Sequence, residues 1–478
     1  MNEKLAQALD HIDDRKIAEA AVARKKHRHL FLKAVAAVLL IVFALNFNLP
    51  IISMRVNAKM VSEASGPRAM KRPDRDDYDS YEEYAPVWDA YYDGLQQREA
   101  RVATALTDLN RFFTQTTAAY MEDSDKNLVC SPINAYIALA SLAEVTDGES
   151  RQQILTALNA PDLETLRSRT ESLWENVYHK VGNEMSVLAS SLWLDEGLNY
   201  NQQTMDDLSL YYYTSVYQKD LSSRGAGKAL ATWIGNNTGG MLKSNTSCVE
   251  FPEVPVMTLV STVYLQSKWS DQFSKSKNTE GLFHSPAGDT EVTFMNCRDQ
   301  DYYFWTEDYG ASYRWLKNGC RMWFFLPDPD KTVDDVLAEG QYLDTITAPY
   351  AENENHKYMK VNLSVPKFDV SSSVNVKEGL QQLGVSKIFD WTTNSFASTM
   401  QSKTSDYPVY LDSINQDTRV KIDEKGVTAA SYIELNFGAG AAEPPDEIID
   451  FVLDRPFLFV IADGENRNIL FAGKIVQL

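Results

Sequence analysis

His and Cys, which serve many catalytic and metal sites, are few in this 478-residue chain, and its carboxylates are too abundant for any pair of them to indicate a site. No G-x-S-x-G, H-E-x-x-H or G-x-x-x-x-G-K-[ST] motif occurs, so the local signatures of hydrolases, zinc peptidases and P-loop proteins are missing. The His residues do not share a helix face at metal-binding spacing, and we expect surface positions for all six: His11, His27, His29, His179, His284 and His356. We therefore expect no enzymatic activity, no metal site and no cofactor.

The Cys residues give no sign of a zinc site, because none belongs to a C-x-x-C pair. There are four: Cys130, Cys248, Cys297 and Cys320. A single disulfide is compatible with this number, but buried free thiols are the favoured interpretation.

One segment has the residue pattern of a strand but the length of an exposed loop. Between Gly426 and Pro456 lie 29 residues, and a loop of this length in a compact domain is usually functional or disordered. Its first part alternates with period two, as a half-buried strand requires. The mainly apolar side consists of Val427, Ala429, Ser431, Ile433, Leu435 and Phe437. The small residues from 438 to 442 follow, and a protease cleft can accommodate them in extended form. An ordinary strand followed by a flexible turn is the alternative.

The composition is that of a soluble globular core with an acidic surface. Hydrophobic residues make up 44% and charged residues 23%, which are ordinary values. The formal net charge is -20, which argues against a nucleic-acid partner because phosphates require a basic footprint. The length fits about three domains or one large domain with extensions.

The N-terminus carries a membrane signal. A polar tail, residues 1–29, ends in a basic cluster and precedes an apolar run from Ala34 to Leu45. Residues 30–54 reach the length of a bilayer span, so we predict a transmembrane signal anchor. The positive-inside rule places residues 1–29 in the cytoplasm and the rest of the chain outside. A cleaved signal peptide and a buried core helix are the alternatives.

Two further regions follow the apolar run. Residues 55–100 are rich in acidic residues and Tyr, which predicts a linker in which local order is compatible with the aromatic content. Residues 101–478 mix helix and strand patterns without βαβ alternation, which predicts an α+β domain. Clear strand patterns lie at 186–197, 256–269 and 321–328 and in the last 23 residues. Helix patterns lie at 101–120, 229–242 and 374–390.

Several ordered motifs of residues 101–478 resemble the serpin family of serine protease inhibitors. They are NLVCSPINAYIALASLAEVTDGESRQQI, TWIGNNTGGML, VSTVYLQSKWSDQF, VPKFDV, VKIDEKGVTAA and DRPFLFVIADGENRNILFAGKIV. No single motif is specific, but the set in this order is. The resemblance, together with the N-terminal segment, suggests a membrane-anchored or secreted member of bacterial type.

The resemblance implies a fold of three β-sheets and about nine helices with an exposed reactive-centre loop. It also implies a mechanism. A serine protease, or occasionally a cysteine protease, cleaves the loop and forms an acyl-enzyme. The loop then inserts into the main sheet and traps the protease. No cofactor is implied, and we expect a monomer.

The family's functional positions carry over to specific residues here. The scissile bond falls at Gly440-Ala441, with Ala439 and Ala442 as alternates. Small residues at the cut favour elastase-like or subtilisin-like proteases. The hinge that starts insertion comprises Glu424, Gly426, Val427, Ala429, Ala430 and Ser431. The sheet-opening region comprises Ser131, Asn134, Ser261, Trp269 and Gln416.

Three positions in this region depart from the family. Gln416 stands where a His is usual, while Ser261 and Asn134 replace a usual Asn and Ser. All three remain polar, which suggests a substituted hydrogen-bond network. Gln cannot titrate, so the pH sensitivity that a His provides is not expected.

The sequence leaves three functions open. The favoured one is a surface-displayed protease inhibitor. The first alternative is a non-inhibitory serpin that acts as a binding, storage or chaperone module. The second is an enzyme or transporter accessory organised around the membrane segment.

Overall fold

The structure, a computed structural model, describes most of the chain in separate ranges. These are residues 55–64, 73–121, 125–181, 184–242, 251, 256–338, 340–347, 355–400, 409–411, 414–427, 447–464 and 468–478. The predicted tail, membrane span and scissile bond lie outside these ranges, as do Ala429, Ala430 and Ser431. No helix within the described ranges is long and apolar enough to cross a membrane.

The helices carry amphipathic or buried sequences, and most of them begin after a polar residue that can act as an N-cap. In chain order they are α1 (Tyr81–Met121), α2 (Pro132–Val145), α3 (Gly148–Ala157), α4 (Leu163–Val177), α5 (Gln202–Tyr211), α6 (Arg224–Asn237), α7 (Val333–Ala338), α8 (Gln341–Thr347) and α9 (Lys377–Gln382).

The strands are rich in β-branched and aromatic residues. They are β1 (Lys59–Ser62), β2 (Leu128–Cys130), β3 (His179–Val181), β4 (Glu184–Asp195), β5 (Thr214–Lys219), β6 (Met257–Lys268), β7 (Thr279–Ser285), β8 (Gly288–Trp305), β9 (Tyr309–Trp315), β10 (Arg321–Pro327), β11 (His356–Pro366), β12 (Phe368–Asn375), β13 (Asn415–Asp423), β14 (Gly426–Val427), β15 (Ile448–Val452), β16 (Phe457–Ala462) and β17 (Ile469–Ile475).

The described strands form two hydrogen-bonded sheets. The first has the order β1-β5-β4-β6-β14-β13-β12, with β3 paired to β4. The second has the order β15-β11-β8-β9-β10-β16-β17-β2, with β7 paired to β8. The expected number was three. The 18-residue strand β8 pairs with β7, β9 and β11, so ladders that a three-sheet description would separate are continuous here.

Helix α2 lies beneath the first sheet, where it packs against β6 and β17. Its start is fixed by sequence, because Ser131 is the N-cap and Pro132 occupies the first turn. Nearly every α2 residue is buried, so the helix belongs to the main hydrophobic core. Helix α6 covers the other side of the sheet, where Trp233 joins Trp193 and Tyr217 in a second apolar cluster.

The predicted linker contains a strand, a 3₁₀ turn at Arg75–Asp77 and the first half of a helix. Lys59–Ser62 forms strand β1, which pairs antiparallel with β5 at the edge of the first sheet. Helix α1 spans 41 residues and runs through the predicted boundary at residue 100. Its last turns bury Leu109, Phe112 and Phe113 in the core, as the helical spacing of these residues predicts. The acidic first half carries no aliphatic stripe, which is why its sequence resembles a linker.

Candidate functional site

The short strand β14 begins a new strand between two longer ones. Gly426 pairs with Lys268 of β6 and with Asp423 of β13, and Val427 pairs with Ser267 and Ile422. Val427 is buried. Both ladders are antiparallel, so two residues of the predicted hinge already occupy a central position in the first sheet.

Below β14 the two neighbouring strands are not joined. In the parts of β6 and β13 that the structure describes, no ladder connects them directly, and the sheet is continuous only through β14. We call the narrow cleft between them the slot; its cavity volume is about 30 Å³. Its walls include Thr262, Tyr264, Thr418 and Val420, and Val427 lies at one end.

The floor of the slot is polar at the start of α2. The side-chain amide of Gln416 accepts a hydrogen bond from the Ser131 backbone N (2.8 Å) and donates one to the Ser131 carbonyl O (2.9 Å). The Ser131 hydroxyl donates to the carbonyl of Leu470 at 2.6 Å. Gln416 and Ser131 are both buried, so each of these bonds satisfies a group that water does not reach.

A second set of bonds ties the same helix start to β6. Asn134 Nδ2 donates to the Ser261 carbonyl at 3.2 Å, and the Ser261 hydroxyl donates to Asn134 Oδ1. Ser190 on β4 donates to the Ser261 hydroxyl at 3.2 Å. The first turn of α2 therefore holds β13 through Ser131 and β6 through Asn134. Separating the two strands requires at least one of these connections to break or stretch.

The hinge turn is fixed by a buried carboxylate. Glu424 pairs with Lys367 Nζ at 2.6 Å and accepts a hydrogen bond from Asn278 Nδ2 at 2.7 Å. Burial alone would raise the pKa of this carboxyl, but the hydrogen bonds from Lys367 and Asn278 outweigh it and lower the pKa to about 2. Glu424 is therefore ionised across the physiological range and anchors the start of β14.

Trp269 supports the same turn from the end of β6. Its indole Nε1 donates to the carbonyl of Asp423 at 2.8 Å, and its backbone N donates to the carbonyl of Lys425 at 3.0 Å. The ring is fully buried and meets Phe273 edge-on, with centroids 5.7 Å apart. Phe273 N in turn donates to the Glu424 carbonyl at 3.1 Å.

The structure brings the described candidate residues into one region. Ser131, Asn134, Ser261 and Gln416 surround the slot floor, while Glu424, Gly426, Val427 and Trp269 form its upper end. Three further contributors, Lys367, Asn278 and Phe273, were not identified from the sequence as site residues. Lys367 belongs to the Pro-Lys-Phe motif, which was a signal of its importance without indicating its partner.

Side chains that commonly bind metals do not gather into a site in the described part of the chain. Within that part, no cluster of three or more His, Cys, Asp or Glu side chains has the arrangement of a metal site. Cys130, Cys297 and Cys320 are free thiols, and Cys248 lies outside the described residues. Burial raises the pKa of Cys297 to about 12, so this thiol stays protonated near neutral pH.

Comparisons with known proteins agree on one family. The family model described as Serpin (serine protease inhibitor) matches residues 108–478. Plasminogen activator inhibitor 1 of Neovison vison is 25% identical over 394 residues, which cover 79% of this chain and 94% of the relative. A serine protease inhibitor of Cyanea capillata is 23% identical over 361 residues, covering 74% and 93%. The native-state structure of the thermophilic serpin tengpin gives a TM-score of 0.68 at 21% identity, covering 87% of this chain and 98% of the other.

The reason given for expecting no enzymatic activity has to be corrected. Missing catalytic motifs are an insufficient reason, since catalytic groups can converge from distant positions. The matches replace that reason with a family assignment, in which the relatives named above are inhibitors of proteases.

Proposed function

Because the chain belongs to the serpin family, we propose that it traps serine proteases by inserting its cleaved reactive loop into the first sheet. The observation that carries this proposal is strand β14, which pairs with both walls at the upper end of an open slot. Because Gly426 and Val427 already form the start of a central strand, insertion of the loop would lengthen that strand and would not have to start a new one.

The proposed chemistry starts at the Gly440-Ala441 bond, with Ala439 and Ala442 as alternates. The protease Ser hydroxyl attacks the carbonyl carbon, its proton passes through the protease base to the leaving amine, and an ester to the loop remains. Insertion of the segment before the cut then carries the tethered protease away before water hydrolyses the ester. Cysteine proteases, which would form a thioester, are a second target class.

The length of the slot matches the alternating segment. Each residue forward from Val427 lies opposite one residue backward from Ser267, so position 437 would lie opposite Met257, where β6 begins. The alternating segment also ends at Phe437. The insertable strand and β6 therefore have the same length in residues, while the opposite wall, β13, begins at Asn415, opposite position 434.

The two faces of the alternating segment also fit the two sides of the slot. Val427 is 3% exposed, and side chains at every second residue share a face. Ala429, Ser431, Ile433 and the apolar residues after them would follow Val427 onto the slot floor. Ala430 and the intervening residues would face solvent. Burial of these apolar groups would supply free energy for insertion.

The nature of the scissile residues sets the proposed targets. A small residue before the cut suits proteases with small or apolar primary pockets, such as elastase-like or subtilisin-like enzymes. Trypsin-like proteases would require Arg or Lys at that position.

We further propose a single-pass membrane protein whose serpin domain faces the exterior and acts as a monomer. The support is the basic tail before residues 30–54. Cleavage after this segment would release the domain as a secreted inhibitor. The bacterial type stays a prediction.

The test mixes the full chain with pancreatic elastase, neutrophil elastase and subtilisin, followed by denaturing gels and mass spectrometry. We expect a heat-stable covalent complex and a released peptide that starts near Ala441. Loop cleavage without a complex, and without a rise in melting temperature, would contradict the proposal and favour the non-inhibitory alternative. Cleavage that raises the melting temperature but leaves no complex would retain loop insertion and reject these proteases as targets.

A further inference from the structure

The first half of helix α1 precedes the region matched by the family model, which starts at residue 108. Four of its aromatic side chains, together with Tyr78 just before the helix, form a row that we call the ring ladder: Tyr78, Tyr81, Tyr84, Trp88 and Tyr91. Neighbouring ring centroids lie 5.6 Å apart for Tyr78 and Tyr84, 6.3 Å for Tyr81 and Tyr84, and 5.8 Å for both Tyr84–Trp88 and Trp88–Tyr91. Tyr81 is 69% exposed, so solvent reaches the start of the ladder.

The same segment is strongly acidic. Between residues 73 and 97 the sequence has eight carboxylates and one basic residue, Arg75. The carboxylates are Asp74, Asp76, Asp77, Asp79, Glu82, Glu83, Asp89 and Asp93. Aromatic faces beside carboxylates favour cations, because ring quadrupoles and negative charges attract them together.

Arg75 shows how a guanidinium is held by this surface. Its guanidinium carbon lies 5.8 Å from the centroid of the Tyr84 ring, and its Nη1 donates to the Tyr78 carbonyl at 2.8 Å. One ladder ring thus already contacts a guanidinium from the same chain. Trp88 and Tyr91 continue the row beyond that contact.

We propose that the ring ladder is a docking surface for an arginine-rich segment of a partner protein. In an extended peptide, alternate side chains point the same way and lie about 6.6 Å apart, close to the ring spacing of the ladder. Arg is favoured over Lys because its planar guanidinium stacks on aromatic faces. The surrounding carboxylates would steer such a segment to the helix.

A membrane surface fits this helix less well. Helices that lie on membranes combine a basic polar face with a strong apolar face. Here the polar face is acidic, and Val87 and Leu95 are the aliphatic residues larger than Ala between 81 and 97. Anionic lipids would be repelled by the carboxylates.

The test measures binding of two fluorescein-labelled peptides, four Gly-Arg repeats and four Gly-Lys repeats, to the full chain by fluorescence anisotropy. We expect the Arg peptide to bind at least about fivefold more tightly at the same ionic strength. Replacing Tyr84, Trp88 and Tyr91 together by Ala should weaken binding of the Arg peptide about tenfold or more, since three half-buried rings available for cation–π contacts are lost.

Two control variants distinguish binding to the ring ladder from binding by general charge attraction. Replacing the same three residues by Phe keeps the rings, and binding should stay within about twofold of the parent protein. Trp391→Ala removes an aromatic side chain that is 69% exposed elsewhere and should leave binding unchanged. Circular dichroism checks that the helix persists in each variant.

Two outcomes would overturn the proposal. One is equal binding of the Arg and Lys peptides by the parent and the triple Ala protein, because the net charge alone would then account for it. The other is that the triple Ala replacement weakens binding to phosphatidylcholine vesicles but does not weaken binding to the Arg peptide. That result would assign the ladder to a lipid surface.

Discussion

A Cβ atom on Gly426 would lie 2.2 Å from the carbonyl oxygen of Ser267, and 2.5 Å from Cα of Lys268. Both are backbone atoms of β6, so no side-chain rotation can relieve the overlap. Strand β14 can enter the sheet this closely because residue 426 has no side chain.

We therefore predict that Gly426→Ala displaces β14 from β6 and destabilises the protein by about 1–3 kcal/mol, the usual range for overpacking. Scanning fluorimetry of the uncleaved protein measures the change. Gly235→Ala in α6 is the matched control, because its added Cβ meets no atom within 4 Å, and it should be neutral or slightly stabilising. Equal melting temperatures for Gly426→Ala and the parent protein would show that β14 does not need this close approach.

A second prediction concerns the slot floor. Gln416→Leu would leave the backbone N–H and carbonyl of Ser131 without their side-chain partner in a buried place. We expect a loss of about 1–3 kcal/mol in the free energy of unfolding. We also expect altered inhibition kinetics, because the tie between α2 and β13 is gone.

Thermal stability and the rate of complex formation with a target protease are the two measurements. If both match the parent protein, the network does not control sheet opening. Ser373→Ala, at an exposed position of the adjacent strand β12, serves as the comparison and should change neither quantity.

A third prediction follows from the lowered pKa of Glu424. A carboxyl whose pKa is about 2 when folded and 4.5 ordinarily contributes stability above the higher value and loses it as the pH falls towards the lower one. Glu424→Gln should thus be less stable than the parent protein at neutral pH, and the difference should shrink below about pH 5. Chemical denaturation at a series of pH values gives this difference directly.

Glu378→Gln provides the control, since Glu378 is an exposed residue in the first turn of α9. A stability difference for Glu424→Gln that stays constant from pH 7 to pH 3 would contradict the assigned ionisation.

A fourth prediction tests the direction in which the loop inserts. In the proposed inserted strand, Ala429 would share the inward face of Val427 by alternation, and Ala430 would face outward. Ala429→Arg would have to bury a charge for the loop to enter, which is costly. We expect this variant to be cleaved as a substrate, while Ala430→Arg still forms covalent complexes.

The ratio of complex to cleaved protein on denaturing gels measures the partition. Both variants leave Gly440 and Ala441 unchanged, so the protease meets the same scissile residues. Identical partitioning of the two Arg variants would reject the proposed register of insertion.

The parts of the site that sequence could predict are those encoded in local periodicity. Alternation from Val427 onward predicts a strand with one apolar face, and the structure buries Val427 in that sense. The start of α2 is local in the same way, because Ser131 is its N-cap and Pro132 lies in its first turn. These features depend on neighbouring residues only.

The remaining contacts join residues that are distant along the chain. Nothing in the sequence pairs Lys367 with Glu424, or Trp269 with the carbonyl of Asp423, because such pairs arise only when β6, β12 and β13 assemble. Strand β1 was missed for a related reason. Four residues are too short for a periodic signal, and their partner strand lies far along the chain.

Strand β1 also defines how much of this chain is one folding unit. It covers the open edge of β5, places Val61 against the main core and sets Val56 and Ala58 against the cluster around Trp233. A protein trimmed to the family match at residue 108 would expose the hydrogen-bonding groups of β5, a template for pairing with another chain. The start of the family match and the start of the complete first sheet thus differ, and a truncated protein made for expression should begin no later than residue 55.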